Sequence, residues 1–150
     1  MPRRTKRITI AEKNRDQGKT FVLTEMPADQ AEWWATRALL ALTNAGADLP
    51  AGVSANAGMA GVAAAGIQAL SQLRAETVKP LMDEMFGCVA YEHDPSHPLQ
   101  PIFAGEASQI EEVSTRIRLR EELLELHLGF SIRGAASTSA SASPASSRAA

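Results

Sequence analysis

The segment of residues 106–128 constrains the fold most, because it carries the clearest helical pattern in the sequence. Its apolar residues recur along one stripe at helical spacing: Ile110, Val113, Ile117, Leu124 and Leu128. The segment also places Glu112 with Arg116, and Arg118 with Glu122, four residues apart, the spacing of ion pairs within a helix. This pattern predicts a long amphipathic helix that buries the stripe against the rest of the protein.

Composition favours partners for this helix that are helical as well. Hydrophobic residues make up 45% of the 150 residues but aromatic residues only 5%, and much of the apolar content is alanine. Such a chain packs helices on small side chains more readily than it builds an aromatic-rich β-sandwich. The length allows one domain with an ordinary core.

The predicted fold is mainly α (α+β), with a small N-terminal β-hairpin followed by a bundle of three to four helices. Two β-type runs, residues 6–11 and 20–25, flank the polar turn NRDQGK, in which Gly18 is free to adopt positive φ. Helices are predicted over residues 27–45, 58–75, 78–86 and 106–128, with a loop over 46–57 and a strand-like start at 89–92. The domain spans residues 1–133, and the Ser/Ala-rich residues 134–150 are predicted to form a disordered tail.

Charge and cysteine content limit the compartment and the partners. Residues 1–20 carry seven basic and two acidic side chains, although the whole chain has a net charge of −2. No nucleic-acid-binding motif follows this basic start, so no nucleic-acid partner is predicted. Cys88 is the only cysteine, which indicates a reducing compartment. The apolar residues 58–70 are too few to span a membrane, so we expect a cytoplasmic protein.

The motifs that suggest chemistry lack the context that the chemistry requires. QGKT (residues 17–20) resembles the end of a phosphate-binding loop, but Lys13 stands where that loop needs glycine, and FVLTE reads as a strand. In EHDPSHP (residues 92–98), Pro95 and Pro98 prevent the helix that would let two histidines share a metal. The sequence therefore predicts no catalytic, cofactor-binding or metal-binding residue, and no enzyme.

The two tryptophans of AEWWATRALLAL (residues 31–42) differ in direction. At 100° per residue, Trp34, Ala38 and Leu42 share a core-facing stripe. Trp33 and Leu40 instead lie among polar residues, which is typical of a partner-binding patch. The alternative is that the N-terminal hairpin covers this pair.

The predicted last helix has a second apolar stripe opposite the first. Its members are Leu119, Leu123 and Leu126. The helix is therefore either sandwiched between other elements or has a face left for a partner, and these three leucines are further candidate partner-binding residues.

The order of these segments resembles the small tail assembly chaperones of long-tailed bacteriophages. The likeness covers about residues 7–132 and includes GKTFVLTEMPA, AEWWATRALLAL, VKPLMDEMFGCV and IEEVSTRIRLREELLELHLGFS. It implies a helical, non-enzymatic protein of the host cytoplasm, absent from the mature virion. Its partners would be the tape-measure protein and the tail-tube protein.

Other functions remain open from the sequence. One is a minor structural protein of the tail or of the head–tail joint that stays in the virion. Another is a small enzyme or metal-binding protein built on EHDPSH. A homo-oligomer, and a frameshifted longer form, are also left open.

Overall fold

The computed structural model describes residues 2–49, 51, 58–65 and 67–140. Its strands are β1 (Thr5–Thr9), β2 (Thr20–Thr24), β3 (Val89–Glu92) and β4 (Gln100–Pro101), and its α-helices are α1 (Ala28–Asn44), α2 (Gly58–Ala65), α3 (Ala75–Phe86) and α4 (Val113–Ala140). Short 3₁₀ helices lie at Ile67–Gln72 and Gly105–Ala107. The predicted α+β fold with an N-terminal hairpin and a set of helices is confirmed. No helix in the described ranges combines the length and apolar character needed to cross a membrane.

The hairpin is half of a larger sheet. The strands follow the order β1-β2-β3-β4, and each neighbouring pair is antiparallel. Ile8 lies opposite Phe21, which in turn lies opposite Tyr91 on β3. The inward side chains of the first two strands, among them Ile8, Phe21 and Leu23, are buried. The sheet thus offers one apolar face to the helices, as a half-buried antiparallel sheet does.

Helix α1 begins one residue after its predicted start and ends one residue before its predicted end. Pro27 precedes its first residue, and Gly46 follows its end with a φ of 75°, a left-handed conformation that favours glycine. The N–H groups of Gly46 and Ala47 bond the carbonyl oxygens of Thr43 and Leu42 and so close the last turn.

The middle of the chain departs from the predicted boundaries. The helix predicted over residues 58–75 is instead α2 followed by a 3₁₀ helix, and residue 66 between them lies outside the described residues. Helix α3 begins at Ala75, three residues before its predicted start, and contains Pro80. The predicted loop over residues 46–57 falls partly outside the described residues.

Helix α4 begins seven residues later than predicted and extends further. Residues 106–112 form part of a 3₁₀ helix and an irregular segment, and α4 runs from Val113 to Ala140, past Gly134. The helix therefore enters the segment for which composition predicts disorder. Residues 141–150 lie outside the described residues, and the disordered tail over residues 134–150 stays a prediction.

One hydrophobic core joins the sheet to all four helices. Trp34 is fully buried, and its indole Nε1–H donates a hydrogen bond to the carbonyl oxygen of Leu81 on α3 at 2.8 Å. Other large buried side chains are Ile10, Phe21, Leu23, Leu39, Leu42, Val62, Met85, Leu119 and Leu123. The predicted burial of Trp34, Ala38 and Leu42 is confirmed.

Candidate functional site

The outer face of α1 exposes a large apolar pair. Trp33 is 59% exposed and Leu40 43% exposed, although the neighbouring Trp34 and Leu39 are fully buried. The sequence-based assignment of the two tryptophans to opposite sides of the helix is confirmed. The alternative in which the hairpin covers Trp33 is wrong, because most of the Trp33 side chain remains accessible.

Arg37 lies between the two apolar side chains. Its guanidinium carbon is 5.8 Å from the centroid of the Trp33 ring, within the range of a cation–π contact. Its Nη2 donates a hydrogen bond to Glu84 on α3, and Gln30 donates to the other oxygen of the same carboxylate at 3.2 Å. Glu84 thus holds Arg37 in place, and Arg37 in turn supports the exposed ring.

A groove continues from Leu40 between α1 and α3. Its volume is about 470 Å³. Its lining is apolar at Leu40, Ala41, Ala45, Leu73, Pro80 and Leu81, and polar at Arg37, Asn44, Arg74 and Thr77. We call Trp33, Arg37, Leu40 and this groove the α1 surface. A concave apolar strip beside an exposed tryptophan has the features of a site for a partner's side chains.

Two of the candidate partner-binding leucines lie in the core instead. Leu119 and Leu123 are fully buried, and Leu126 is half-buried and packs against the core. The interpretation of these leucines as a free face is therefore wrong. Of the stripe that was expected to be buried, Ile110 and Leu128 are buried, whereas Val113 and Ile117 are exposed and Leu124 is half-buried. Between Val113 and Leu124, the side of α4 that enters the core is therefore that of Leu119 and Leu123 and not that of Ile117.

Contacts with the hairpin accompany this orientation. Arg15 bonds Glu112 at 2.9 Å, Arg118 bonds Glu12 at 2.7 Å, and Lys6 pairs with Glu122. These long-range pairs replace the predicted pairs of Glu112 with Arg116 and of Arg118 with Glu122. The hairpin thereby contacts the side of α4 that faces the sheet, and the apolar residues of that side enter the core.

Asp16 fixes the start of α4. It is fully buried, and its two carboxylate oxygens accept the backbone N–H groups of Glu111 and Glu112, each at 2.9 Å. Lys19 donates to the same carboxylate at 2.9 Å and to the carbonyl oxygen of Gln109 at 2.7 Å. Burial alone raises the pKa of Asp16, but the bonds from Glu111, Lys19 and Glu112 outweigh it and lower the pKa to about 2.

The QGKT segment is therefore part of a structural turn. Gly18 has a φ of 83°, and its N–H bonds the carbonyl oxygen of Ile10 across the hairpin. Lys19, which a phosphate-binding loop would direct at its ligand, is occupied by Asp16 and Gln109. Thr20 opens β2 rather than a helix. The geometry matches the predicted hairpin turn.

The EHDPSHP segment forms a tight turn after β3. Asp94 accepts hydrogen bonds from the N–H and hydroxyl of Ser96 and contacts Nδ1 of His97. The bonds from Ser96 are the main reason that the pKa of Asp94 is lowered. Among the described residues, no group of three or more His, Cys, Asp or Glu side chains is arranged to hold a metal ion.

Cys88 is largely enclosed by the protein, and His127 hydrogen-bonds backbone groups. Burial raises the pKa of the Cys88 thiol to about 11, so the thiolate is disfavoured. Nδ1 of His127 lies 2.7 Å from the carbonyl oxygen of Leu123, and Nε2 accepts the N–H of Met26 at 2.9 Å. This places the ring proton on Nδ1 and ties α4 to the segment before α1.

Comparisons of the sequence with protein-family models and curated proteins, and of the fold with solved structures, gave no match.

Proposed function

We propose that this protein is a non-enzymatic assembly chaperone of a long-tailed bacteriophage, which binds the tape-measure protein and recruits tail-tube subunits during tail formation. The single observation that carries the proposal is the exposure of Trp33, at 59%, beside Leu40 and an apolar groove. The resemblance of residues 7–132 to tail assembly chaperones supplies the identity of the partner. The proposed site of action is the cytoplasm of the host bacterium.

An exposed tryptophan suits reversible capture of a helix. A flat indole ring buries a large apolar area when a partner docks and loses little conformational entropy. Glu84 already holds Arg37 beside the Trp33 ring, so the surface is partly organised before binding. A long apolar helix of the tape-measure protein would be covered here until tail-tube subunits replace the chaperone.

The proposal is tested with the Trp33→Ala variant. We expect it to fold as the parent does and to lose at least about 2 kcal/mol of binding free energy toward helical segments of the tape-measure protein encoded by the same phage. The matched control is Ile117→Ala, because Ile117 is a similarly exposed apolar residue, 47% exposed, on the separate helix α4. The binding free energies of both variants are measured by titration calorimetry against overlapping peptides that cover the tape-measure protein. Unchanged binding by Trp33→Ala would refute the proposed site.

Mass spectrometry of purified virions tests the chaperone role itself. A chaperone should be missing from finished particles. In a separate infection assay, tails should fail to assemble when Trp33 and Leu40 are both replaced by alanine. Detection of the protein at a fixed copy number per particle would contradict the proposal and would instead support a minor structural protein of the tail or head–tail joint.

A further inference from the structure

The charged side chains that line the groove of the α1 surface are all positive. Its described lining residues include two arginines, Arg37 and Arg74, and no carboxylate. Between the arginines the lining is apolar, with Leu40, Leu73 and Pro80 among its members. An occupant that matches this lining has an apolar side chain flanked by negative charge.

The two arginines retain capacity for an additional acceptor. Arg37 donates one side-chain hydrogen bond, from Nη2 to Glu84, and its side chain remains 30% exposed. Arg74 Nε lies 3.7 Å from Glu76 Oε2, and both side chains are largely exposed. Exposed ion pairs of this kind contribute little to stability and exchange readily for a better-placed carboxylate.

The spacing of the exposed Trp33 and Leu40 side chains favours a helical occupant. Trp33 and Leu40 are seven residues apart, which is roughly 10 Å along α1. A helix lying beside α1 presents side chains at the same interval when they are also seven residues apart. The exposed pair on α1 therefore matches two turns of an amphipathic helix.

We infer that the α1 surface recognises an acidic amphipathic helix, with two apolar anchors seven residues apart and a Glu or Asp that pairs with Arg74. This inference rests on the proposed function, since it specifies the kind of partner segment that the same surface takes. One anchor contacts Trp33, and the other enters the groove beside Leu40. The carboxylate lies one turn from the second anchor, where it displaces Glu76 from Arg74.

Two synthetic helical peptides test the inference. Both carry leucines at the same positions seven residues apart, and their flanking positions are Glu in one and Lys in the other. At low ionic strength we expect the full-length protein to bind the Glu peptide at least about tenfold more tightly, with the preference reduced by added salt. Fluorescence anisotropy of labelled peptides measures both affinities.

Variants at and near the start of α3 make the test specific. Arg74→Glu should reverse the preference between the peptides, and Arg74→Ala should abolish it. Lys79→Glu is the matched control, because Lys79 on α3 is exposed like Arg74, which directly precedes the helix, and the charge change is equal, but Lys79 does not line the groove. It should preserve the preference. Equal binding of the two peptides, binding of neither, or an equal effect of Arg74→Glu and Lys79→Glu would overturn the inference.

The two proposals fail in different ways. If Trp33→Ala loses the tape-measure protein while Arg74→Glu leaves the peptide preference intact, the proposed function stands and the acidic-helix inference falls. If the Glu peptide binds as expected but no tape-measure segment binds, the proposed function falls alone. Sedimentation velocity tests whether a second copy is the occupant: a dimer that Arg74→Glu dissociates would overturn the inference.

Discussion

Helices α1 and α4 both bury one apolar stripe and expose a second apolar pair, but different contacts hold the two helices in their orientations. Each has one apolar stripe in the core and an apolar pair in solvent, Trp33 with Leu40 on α1 and Val113 with Ile117 on α4. The rotation of α1 follows from one large side chain, Trp34, whose ring fills the centre of the core and whose N–H bonds Leu81. Large buried aromatic rings leave few alternative orientations.

The rotation of α4 depends instead on polar contacts at its edges. Asp16 holds the N–H groups before its first turn, and the hairpin pairs with Glu112, Arg118 and Glu122 along its length. His127 adds a bond to Met26 at the other end of this contact. The buried carboxylate of Asp16 is the strongest of these contacts, because the ion pairs along the helix are partly or largely exposed to solvent.

The exposed pairs also differ in their surroundings. Beside Trp33, Arg37 is shared between the ring and one carboxylate, and the groove continues along α3. Beside Ile117, Arg120 lines a smaller groove of about 320 Å³, and its guanidinium lies 5.9 Å from the Phe86 ring. The larger groove with the exposed tryptophan is the better-developed binding surface of the two.

The largest expected effect separates the two tryptophans of α1. Trp34→Ala should lower the free energy of unfolding by about 4 kcal/mol, because it leaves a large cavity in the core and removes the indole hydrogen bond to the Leu81 carbonyl. Trp33→Ala should change it by less than about 0.5 kcal/mol, since its ring contacts solvent and Arg37. Urea denaturation measures both. A Trp33→Ala variant that is as destabilised as Trp34→Ala would show that Trp33 contributes to the core.

The orientation of α1 was predictable because its sequence contains one clear apolar stripe. Ala31, Trp34, Ala38 and Leu42 form a single stripe, and the opposite side is mostly polar. For α4, both the stripe that contains Ile117 and the stripe that contains Leu119 are apolar, and the helical pattern favours the first because it has more members. The choice depends on residues about 100 positions away, such as Glu12 and Asp16, which a local pattern does not contain.

The second expected effect tests that choice on α4. Leu119→Ala should lower the free energy of unfolding by about 3 kcal/mol, because its side chain is fully buried. Ile117→Ala removes a similar volume from a side chain that is 47% exposed, and should cost about 0.5 kcal/mol or less. The order of the two losses in thermal or chemical unfolding decides the rotation of the helix. A larger loss from Ile117→Ala would restore the orientation that the sequence pattern predicts.

The sheet shows the same limit of local patterns. The hairpin strands and the start of β3 were predictable, because their β-type residues flank a glycine-containing turn or precede prolines. Strand β4 consists of Gln100 and Pro101 and exists only because β3 offers an edge to pair with. Its two residues have no strand pattern of their own. The α1 surface was likewise half predictable: Trp33 and Leu40 follow from the helical wheel, but Arg74 enters only through the packing of α3.

The smallest expected effect concerns Asp16, the residue that connects the hairpin to α4. Its carboxyl has a pKa of about 2 in the folded protein against an ordinary value of 3.8, so folding favours the ionised form. The stabilisation is therefore fully present above about pH 4 and is lost as the pH falls toward 2. By linkage the difference is worth about 2 kcal/mol. Unfolding free energies measured by urea denaturation at pH 5 and pH 2.5 should show this loss in the parent protein.

Asp16→Asn separates this contribution from those of other carboxylates. An amide has one acceptor oxygen, so the variant leaves one of the N–H groups of Glu111 and Glu112 without its partner and leaves Lys19 without a counterion. We expect a loss of about 2 kcal/mol at pH 5 and a flatter decline between pH 5 and pH 2.5. Glu12→Gln is the control, because Glu12 also joins the hairpin to α4, through Arg118, but is exposed to solvent; its loss should be much smaller. If Asp16→Asn were as stable as the parent, or declined as steeply with acid, the orientation of α4 would not depend on this carboxylate, and the contrast drawn between the two helices would fail.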